Sequence, residues 1–250
     1  MMNDLIRAHC SEIDRCNQRG GRMLSVVDLI EAGTISRQLA AYSLAAIKGG
    51  ASFLVGALPG GAGKTTVMGA LLNFVPRDVR LAPADGMAAI HRGAKAPTPR
   101  RCYICHEIGQ GPYYAYLWGR DLRAYFDLPD AGHMLATNLH ADTYDQACQQ
   151  ICSQSGVQEA ALRRMNLMFF LSVRRGASGT LRRIDQVWES DGLTPHRQVF
   201  SDGAPESPIR STGLVSAPDA AKAAEIIDRS MAGKARTIEE VRTVLLAEDE

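Results

Sequence analysis

The chain has 250 residues, of which 46% are hydrophobic and 22% are charged. These are ordinary values for a globular protein, and they exclude a disordered or fibrous one. The net charge is only +1, from 28 Lys and Arg against 27 Asp and Glu. The strongly basic character of a general nucleic-acid-binding protein is therefore missing, and we predict no direct nucleic-acid binding.

The sequence contains no run approaching the roughly 18 to 20 apolar residues that a transmembrane helix needs. Asp4 and Arg7 stand where a signal peptide would have its apolar core. The six cysteines are scattered along the chain and fit free thiols in a reducing compartment. We expect a cytoplasmic protein without a transmembrane segment.

The first part of the chain predicts helices followed by a buried strand. Residues 1–22 are polar, and we expect this N-terminal segment to form a short helix that frays. Ser25 and Asp28 form a capping box that begins a helix, and a second helix is predicted from about Ser36 to Lys48. The apolar run SFLVGAL at 52–58 has the length and flanks of a buried parallel strand.

Strands and helices alternate in the remainder of the main domain, which we place at 23–200. Further strands are predicted at 79–82, 102–108, 133–139, 167–173, 184–189 and 197–200, and further helices at 113–126, 143–154 and 158–165. This alternation predicts an α/β fold with a mostly parallel sheet and helices on both faces. Residues 201–217 are rich in Pro, Ser and Gly and predict a linker to a small helical tail at 218–250, whose second helix begins at the capping box of Thr237 and Glu240.

The strongest motif is LPGGAGKTT at 58–66, which we call the phosphate loop. Glycines let such a loop wrap its backbone amides around phosphate groups, a lysine reaches the β- and γ-phosphates, and a Ser or Thr hydroxyl binds Mg²⁺. The chain supplies Lys64 for the second role and Thr65 for the third. The predicted nucleotide-binding residues of the loop are Pro59, Gly60, Gly61, Ala62, Gly63, Lys64, Thr65 and Thr66.

One position of the loop departs from the full G-x-x-x-x-G-K-[ST] pattern, because Leu58 stands where the first glycine is expected. That position tolerates another residue if its φ stays negative, and the following Pro59 favours such a backbone. The alternative to a nucleotide site is a glycine-rich turn between strand and helix that happens to contain Lys and Thr.

Three stretches of the sequence, at 28–76, 131–151 and 167–190, resemble segments of one known family of phosphate-loop proteins. The first runs from helix to strand, loop and helix. The second, AGHMLATNLHADTYDQACQQI, is similar to a His box, and the third has two strands joined by a basic turn. Together they resemble the secretion-superfamily ATPases, the hexameric motors of type II and type IV secretion and of type IV pili. The resemblance covers about 28–200 and implies a RecA-like fold that binds ATP and Mg²⁺.

The resemblance also implies roles for four residues outside the loop. Glu107 takes the Walker B position, where it would polarise the attacking water or hold Mg²⁺ through water. Asp85 falls at the family's acidic box, His140 matches the histidine on the γ-phosphate side, and His133 is the earlier histidine of the same box. All four lie at or near predicted strand ends, and open α/β sheets bind ligands at the carboxyl ends of their strands. Each residue also has an ordinary structural interpretation. Glu107 would be a surface carboxylate, Asp85 a turn residue, and the two histidines strand-end residues.

The chain departs from the family in three respects. Gly109 stands two residues after the Walker B position, where the family has an arginine, and the segment from Asp85 to Glu107 is about half the usual length. We also expect no counterpart of the family's separate N-terminal domain. The leading function is that of an ATP-hydrolysing motor in a homohexamer, working with a membrane-embedded secretion or pilus assembly complex. Alternatives are a catalytically weak or silent nucleotide-binding subunit, and a small-molecule kinase whose lid would use Arg120 and Arg123.

Several other patterns have a structural and a functional reading. The CYICH string at 102–106 matches a haem-attachment string, but its place in an apolar strand favours core packing. Cys148 and Cys152 have metal-ligand spacing, and we expect them to be small core-facing residues. The arginine pairs, including Arg182 with Arg183, are predicted to be surface or subunit contacts unless one supplies a trans-acting arginine. The aromatic run at 113–118 fits a stack for a base or the core face of a helix, and we predict the core.

Overall fold

The computed structural model describes residues 2–17, 20–95, 99–176, 179–202, 209–233 and 235–247. Its helices are α1 (Met2–Arg15), α2 (Val26–Glu31), α3 (Arg37–Lys48), α4 (Lys64–Leu72), α5 (Met87–Ala94), α6 (Gly119–Phe126), α7 (Tyr144–Cys148), α8 (Glu159–Leu162), α9 (Ala217–Ala232) and α10 (Ile238–Leu246). Its strands are β1 (Phe53–Gly56), β2 (Arg80–Pro83), β3 (Arg101–Ile108), β4 (Tyr116–Leu117), β5 (Met134–Leu139), β6 (Leu167–Gly176), β7 (Gly179–Glu189) and β8 (Arg197–Ser201). A 3₁₀ turn at Leu128–Ala131 precedes β5, and a π-helical turn at Gln149–Gln154 continues α7.

Within the described residues, the strands form one sheet in the order β2-β3-β5-β1-β6-β7-β8, with β4 beside β3. The pairs from β2 to β6 are all parallel, whereas β6, β7 and β8 pair antiparallel. The prediction of an α/β fold with a mostly parallel sheet is confirmed.

Helices cover both faces of the sheet, and each face has its own core. Successive residues of β1 point to opposite sides, so that Phe53 and Val55 join one core and Leu54 the other. Helices α1 to α4, α9 and α10 pack on the first face, and α5 to α8 pack on the second. Burial on both faces explains why β1 is a continuous apolar run.

The helix starts follow the predicted capping residues. Both capping boxes are present: Ser25 with Asp28 begins α2, and Thr237 with Glu240 begins α10. The Ser36 hydroxyl accepts from the Leu39 amide at the start of α3. Each such cap stabilises a helix by roughly 1 kcal/mol because it satisfies amides that lack an intrahelical partner.

The N-terminal segment contains the expected helix, but α1 is 14 residues long and packs on the first core. Ile6, Cys10 and Ile13 are buried, at a spacing that places them on one face of a helix. His9 shares this face and hydrogen-bonds the Leu72 carbonyl oxygen at 3.1 Å. Polar residues outnumber apolar ones in this segment, so its composition did not indicate the narrow apolar face that packs on the core.

The burial of His9 makes stability depend on pH. Desolvation, helped by the charge of Arg242, lowers the pKa of His9 from 6.5 to about 3. Below pH 6.5 the unfolded chain therefore binds a proton that the native state refuses, so stability is lost as pH falls. We expect this residue alone to remove about 2 kcal/mol of unfolding free energy between pH 6.5 and 5.

Urea unfolding at both pH values measures this effect. His9→Gln should flatten that part of the profile, because glutamine does not titrate. The matched control is His91→Gln on α5, which changes an exposed histidine and should leave the profile as in wild type. A His9→Gln profile as steep as that of wild type would contradict the assignment.

The C-terminal helices pack back on the domain, as predicted. Ile226 of α9 and Val241 of α10 lie in the first core. Residues 209–216 of the proposed linker also contact the domain, since the Glu189 carboxylate accepts from the Thr212 amide at 2.8 Å. Among the described residues, each helix is too short or too polar to span a bilayer.

The aromatic run at 113–118 does not form the predicted helix. Helix α6 begins only at Gly119, and a loop precedes it in which Tyr113 and Tyr114 are 65% and 46% exposed. The core prediction is therefore wrong for these two tyrosines. Proline at 112 and glycines at 109 and 111 break the helical pattern, and the backbone instead turns back along β3 as β4.

Candidate active site

The phosphate loop connects the end of β1 to the start of α4, at the carboxyl edge of the sheet. Gly61 and Gly63 have φ values of +82° and +97°, a conformation that glycine adopts without steric cost. Gly63 is the N-cap of α4, so the positive end of the helix dipole points at the loop. Leu58 has a negative φ, as expected, since Ala115 is the one non-glycine among the described residues with a positive value.

Lys64 extends from the first turn of α4 into the carboxyl edge of the sheet. Its side chain is 9% exposed, and its ammonium lies 3.3 Å from the Ala57 carbonyl oxygen and 3.6 Å from Glu107 Oε2. A buried lysine at a helix start, next to a glycine-rich loop, forms a concentrated positive site of the kind that binds phosphate.

Glu107 is the penultimate residue of β3, and its side chain is as buried as that of Lys64. Burial raises the pKa of Glu107, while the charges of Lys64 and His140 act in the opposite direction. Its Oε1 atom is buried and makes no hydrogen bond to any described residue. A carboxylate oxygen held without a partner beside a pocket is the arrangement expected of a group that binds or activates water.

His140 follows β5 directly and completes the cluster. Its Nδ1 lies 3.0 Å from the Leu58 carbonyl oxygen and 3.2 Å from the Lys64 ammonium. Its Nε2 lies 3.7 Å from Glu107 Oε2 and 3.3 Å from the Lys64 ammonium. Asp142 braces the same turn, because it accepts from the Leu58 amide at 2.6 Å.

These three side chains meet because β3, β5 and β1 are adjacent parallel strands. The carboxyl ends of parallel strands lie at one edge, which brings Glu107, His140 and the phosphate loop together. Sequence analysis named all three features, and the structure places them within direct contact of one another.

A pocket of about 490 Å³ opens beside this cluster. It is lined by Asn17, Gly20, Arg22, Met23, Leu24, Gly60, Gly61, Ala62, Gly63, Lys64, Thr65, Thr66, Glu107, Tyr116 and His140. We call it the phosphate-loop pocket.

Part of the pocket wall comes from residues 17, 20 and 22–24, between α1 and α2, which sequence analysis did not connect with the site. Arg22 of this wall makes two bonds of 2.7 Å to the Asp28 carboxylate and donates to the Arg236 carbonyl oxygen at 2.8 Å. The wall is therefore tied both to α2 and to the start of the C-terminal helix. The capping box of Ser25 and Asp28 located the start of α2, but nothing local indicated that Asp28 also holds an arginine.

Arg182 of β7 lies against the outside of the phosphate loop. Its Nε donates to the Gly61 carbonyl oxygen at 3.0 Å, and its Cδ lies 3.2 Å from where a Cβ on Gly63 would stand. Among the described residues, no carboxylate lies within 4 Å of its guanidinium, whereas neighbouring Arg183 pairs with Asp202 at 2.7 Å. Arg182 is thus a cation of the same subunit beside the loop, a role that sequence analysis did not assign to it.

His133 is not part of this cluster, which corrects the nucleotide-binding role implied for it. It precedes β5, at the opposite end of the strand from His140. Its Nδ1 accepts from the Arg101 amide at 3.1 Å, and its Nε2 bonds the Gly93 carbonyl oxygen at 2.9 Å. Both ring nitrogens therefore hold backbone at the amino-terminal edge of the sheet.

Asp85 also lies outside the phosphate-loop pocket, contrary to its implied catalytic role. It follows β2, which is separated from β1 by β3 and β5, and its side chain is exposed. It lines a different pocket with Arg92 and Arg101. Its place at the carboxyl edge was predicted correctly, but two intervening strands keep it from the loop.

The residues present fit a Mg²⁺ ion that is held mainly by phosphate oxygens. Among the described residues, no group of three or more His, Cys, Asp and Glu side chains is arranged to hold a metal alone. Mg²⁺ bound with a nucleotide needs only one or two protein oxygens, because phosphates and water supply the others. The half-buried Thr65 hydroxyl and the unpartnered Oε1 of Glu107 meet that need.

The remaining candidates do not form a second site. Cys102 and Cys105 are fully buried in β3, which supports core packing over haem attachment. Cys148 and Cys152 are partly buried and pack against the second core. Arg123, one of the two proposed lid arginines, donates to the Ser155 carbonyl oxygen at 2.8 Å and braces a turn instead.

Three solved structures similar to this chain are ATPases. They are the VirB11 ATPase of the Brucella suis type IV secretion system in complex with sulphate (19% identity, TM-score 0.44) and the ATPase DotB from Yersinia pseudotuberculosis (10%, 0.45) and Legionella pneumophila (10%, 0.38). The alignments cover 66%, 87% and 89% of this chain. They cover 54%, 62% and 64% of those chains, so this chain spans less than two thirds of each. No family profile and no curated protein matches the chain.

Proposed function

We propose that the chain binds ATP with Mg²⁺ in the phosphate-loop pocket and hydrolyses it to ADP and phosphate. The observation that carries this proposal is the contact of buried Lys64 with buried Glu107 at 3.6 Å, with His140 beside both. Structural ion pairs lie on many protein surfaces, but few are buried at a helix start beside a glycine-rich loop and a pocket. The pair thus supports a phosphate-binding and water-activating site.

The proposed mechanism follows from the positions of the side chains. Lys64 and the backbone amides of the loop bind the β- and γ-phosphates, and Thr65 provides the oxygen ligand for Mg²⁺. Bound Mg²⁺ would neutralise charge on the phosphates. Glu107 accepts a proton from water as the water oxygen attacks the terminal phosphorus and the bond to the bridging oxygen breaks. His140, with Nε2 turned toward Glu107 and Lys64, contacts the terminal phosphate.

A second function remains a candidate because of the same ion pair. If the bond between Lys64 and Glu107 persists when nucleotide is bound, the carboxylate stays engaged and turnover is weak. Two departures from the family pattern also favour weak turnover: Leu58 at the first loop position and Gly109 after the Walker B position. The chain would then be a nucleotide-binding regulatory or assembly subunit. The kinase alternative is weaker, because Arg123 does not reach the pocket and braces Ser155.

The proposal also includes the oligomeric state and the partner of the chain. The sequence resemblance to the secretion-superfamily motors suggests a homohexamer that transmits ATP hydrolysis to a membrane-embedded secretion or pilus assembly complex. The exposed side chains of Arg174 and Arg175 on β6 offer a basic surface for a neighbouring subunit.

Steady-state phosphate release from ATP tests the proposed function. The account expects saturable turnover that requires Mg²⁺, from protein whose oligomeric state is determined by light scattering. ATP binding without any turnover would replace the motor with the silent subunit. A monomer that transfers phosphate to a small molecule would favour the kinase.

A further inference from the structure

The loop after Glu107 folds in an unusual way that returns the chain to β3. Parallel strands ordinarily need a crossover of a dozen or more residues, usually with a helix. Here β4 lies parallel to β3 after only the short segment 109–115. The pairing places Tyr116 opposite Glu107. Residues paired in parallel register point to the same face, so the tyrosine and the glutamate share one side of the sheet.

The backbone is strained at the residue that makes this return possible. Ala115 has a φ of +53°, which is rare for a residue with a Cβ. Two hydrogen bonds hold the conformation, from the His106 amide to the Ala115 carbonyl oxygen at 2.9 Å and from the Gly109 amide to the Leu117 carbonyl oxygen at 3.1 Å. Backbone strain that surrounding bonds maintain is concentrated at functional sites. Here the strained residue immediately precedes Tyr116.

The Tyr116 side chain brings a further hydrogen-bond donor to the site. It lines the phosphate-loop pocket together with Lys64, Glu107 and His140. Its hydroxyl makes no hydrogen bond to any residue that the structure describes. Burial and then the charge of Glu107 raise the pKa of Tyr116, so the phenol keeps its hydrogen at neutral pH. The neighbouring carboxylate can only accept, whereas the phenol can donate to a phosphate oxygen.

We propose that Tyr116 is a catalytic residue whose hydroxyl donates a hydrogen bond to the terminal phosphate of a bound nucleoside triphosphate. This inference rests on the proposed function and adds a contact that distinguishes a triphosphate from a diphosphate. Lys64 reaches the phosphates from the loop side, and Tyr116 reaches them from the β4 side of the same pocket. The exposed Tyr113, whose ring lies 5.0 Å from that of Tyr116, does not line the pocket.

The test compares Tyr116→Phe with Tyr113→Phe, each of which removes one hydroxyl and keeps the ring. Affinities for a non-hydrolysable triphosphate analogue and for ADP, both with Mg²⁺, are measured by competition with a fluorescent nucleotide. Tyr116→Phe should weaken binding of the analogue about 10-fold and leave ADP binding unchanged, because a bond to a charged group is lost only with the terminal phosphate. Tyr113→Phe should match wild type in both measurements.

The outcomes separate this inference from the proposed function. A Tyr116→Phe protein that prefers the triphosphate as strongly as wild type does overturns the role of Tyr116 and leaves the nucleotide site standing. An equal loss for both nucleotides shows that the hydroxyl only supports the pocket, which also overturns the role. Wild-type protein that binds neither nucleotide overturns the proposed function and this inference together. Because the ring is retained, thermal melting should show that both variants fold as wild type.

Discussion

Glu107→Gln should lower phosphate release by about 10² to 10⁴-fold, the range measured for removal of a general base. Glutamine has the shape of glutamate but does not accept a proton from the attacking water. ATP binding should stay within about 3-fold of the wild-type value, since Lys64 and the loop amides, which we propose bind the phosphates, are unchanged. Initial rates of phosphate release and a parallel binding titration measure the two effects.

Asp85→Asn is the matched control for this substitution. It removes a carboxylate at the same edge of the sheet, but one that is exposed and outside the phosphate-loop pocket. Its turnover should equal that of wild type. The assignment of Glu107 would be contradicted by unchanged turnover in Glu107→Gln, or by an equal loss of turnover in both variants.

Lys64→Ala should weaken ATP binding at least about 100-fold. The Lys64 ammonium is the buried cation of the phosphate loop. Charge-assisted bonds to phosphate oxygens each contribute about 1.5 to 3 kcal/mol. The variant also leaves Glu107 buried without its nearest cation, so we expect a lower melting temperature. Binding is therefore measured well below that temperature, by titration with a fluorescent ATP analogue.

Lys222→Ala controls for the loss of a positive charge in general. Lys222 is exposed on α9, away from the phosphate loop. The control should bind ATP and melt as wild type. Retention of wild-type affinity by Lys64→Ala, with its folded state intact, would show that nucleotide binds elsewhere.

Sequence reasoning predicted the centre of the site because that centre depends on one rule of fold geometry. Each of the three features lies at or just after the carboxyl end of an apolar strand, and parallel strands bring their carboxyl ends to one edge. The phosphate loop, Glu107 and His140 are therefore neighbours although they are far apart in sequence. The caps at Ser25 and Thr237 were predictable for a similar reason, since their hydrogen bonds are local.

The same rule excludes His133 from the nucleotide site, because His133 lies at the amino end of its strand. A strand of six residues separates it from His140, and at about 3.3 Å per residue the two lie roughly 20 Å apart. The resemblance of the whole His box obscured the direction of the strand. Asp85 was misplaced for a different reason, because its distance from the loop depends on the order of the strands, which local pattern does not specify.

Other parts of the site could not be predicted from local pattern because long-range contacts create them. The pocket wall around Arg22 depends on a hydrogen bond to the Arg236 carbonyl oxygen, more than 200 positions later in the chain. Arg182 reaches the phosphate loop only because β6 pairs with both β1 and β7. Tyr116 depends on the left-handed backbone of Ala115, a conformation that no propensity predicts for alanine.

Hydrogen–deuterium exchange with and without Mg·ATP, on the Glu107→Gln protein so that the nucleotide persists, tests the central claim most directly. We predict slower exchange in peptides that contain the pocket-lining residues 60–66 and Tyr116, and unchanged exchange in the exposed turn at 191–194. Slower exchange at the loop would locate the nucleotide at Lys64 and Glu107. Saturable ATP binding that leaves 60–66 unchanged would contradict the account and place the nucleotide outside the phosphate-loop pocket.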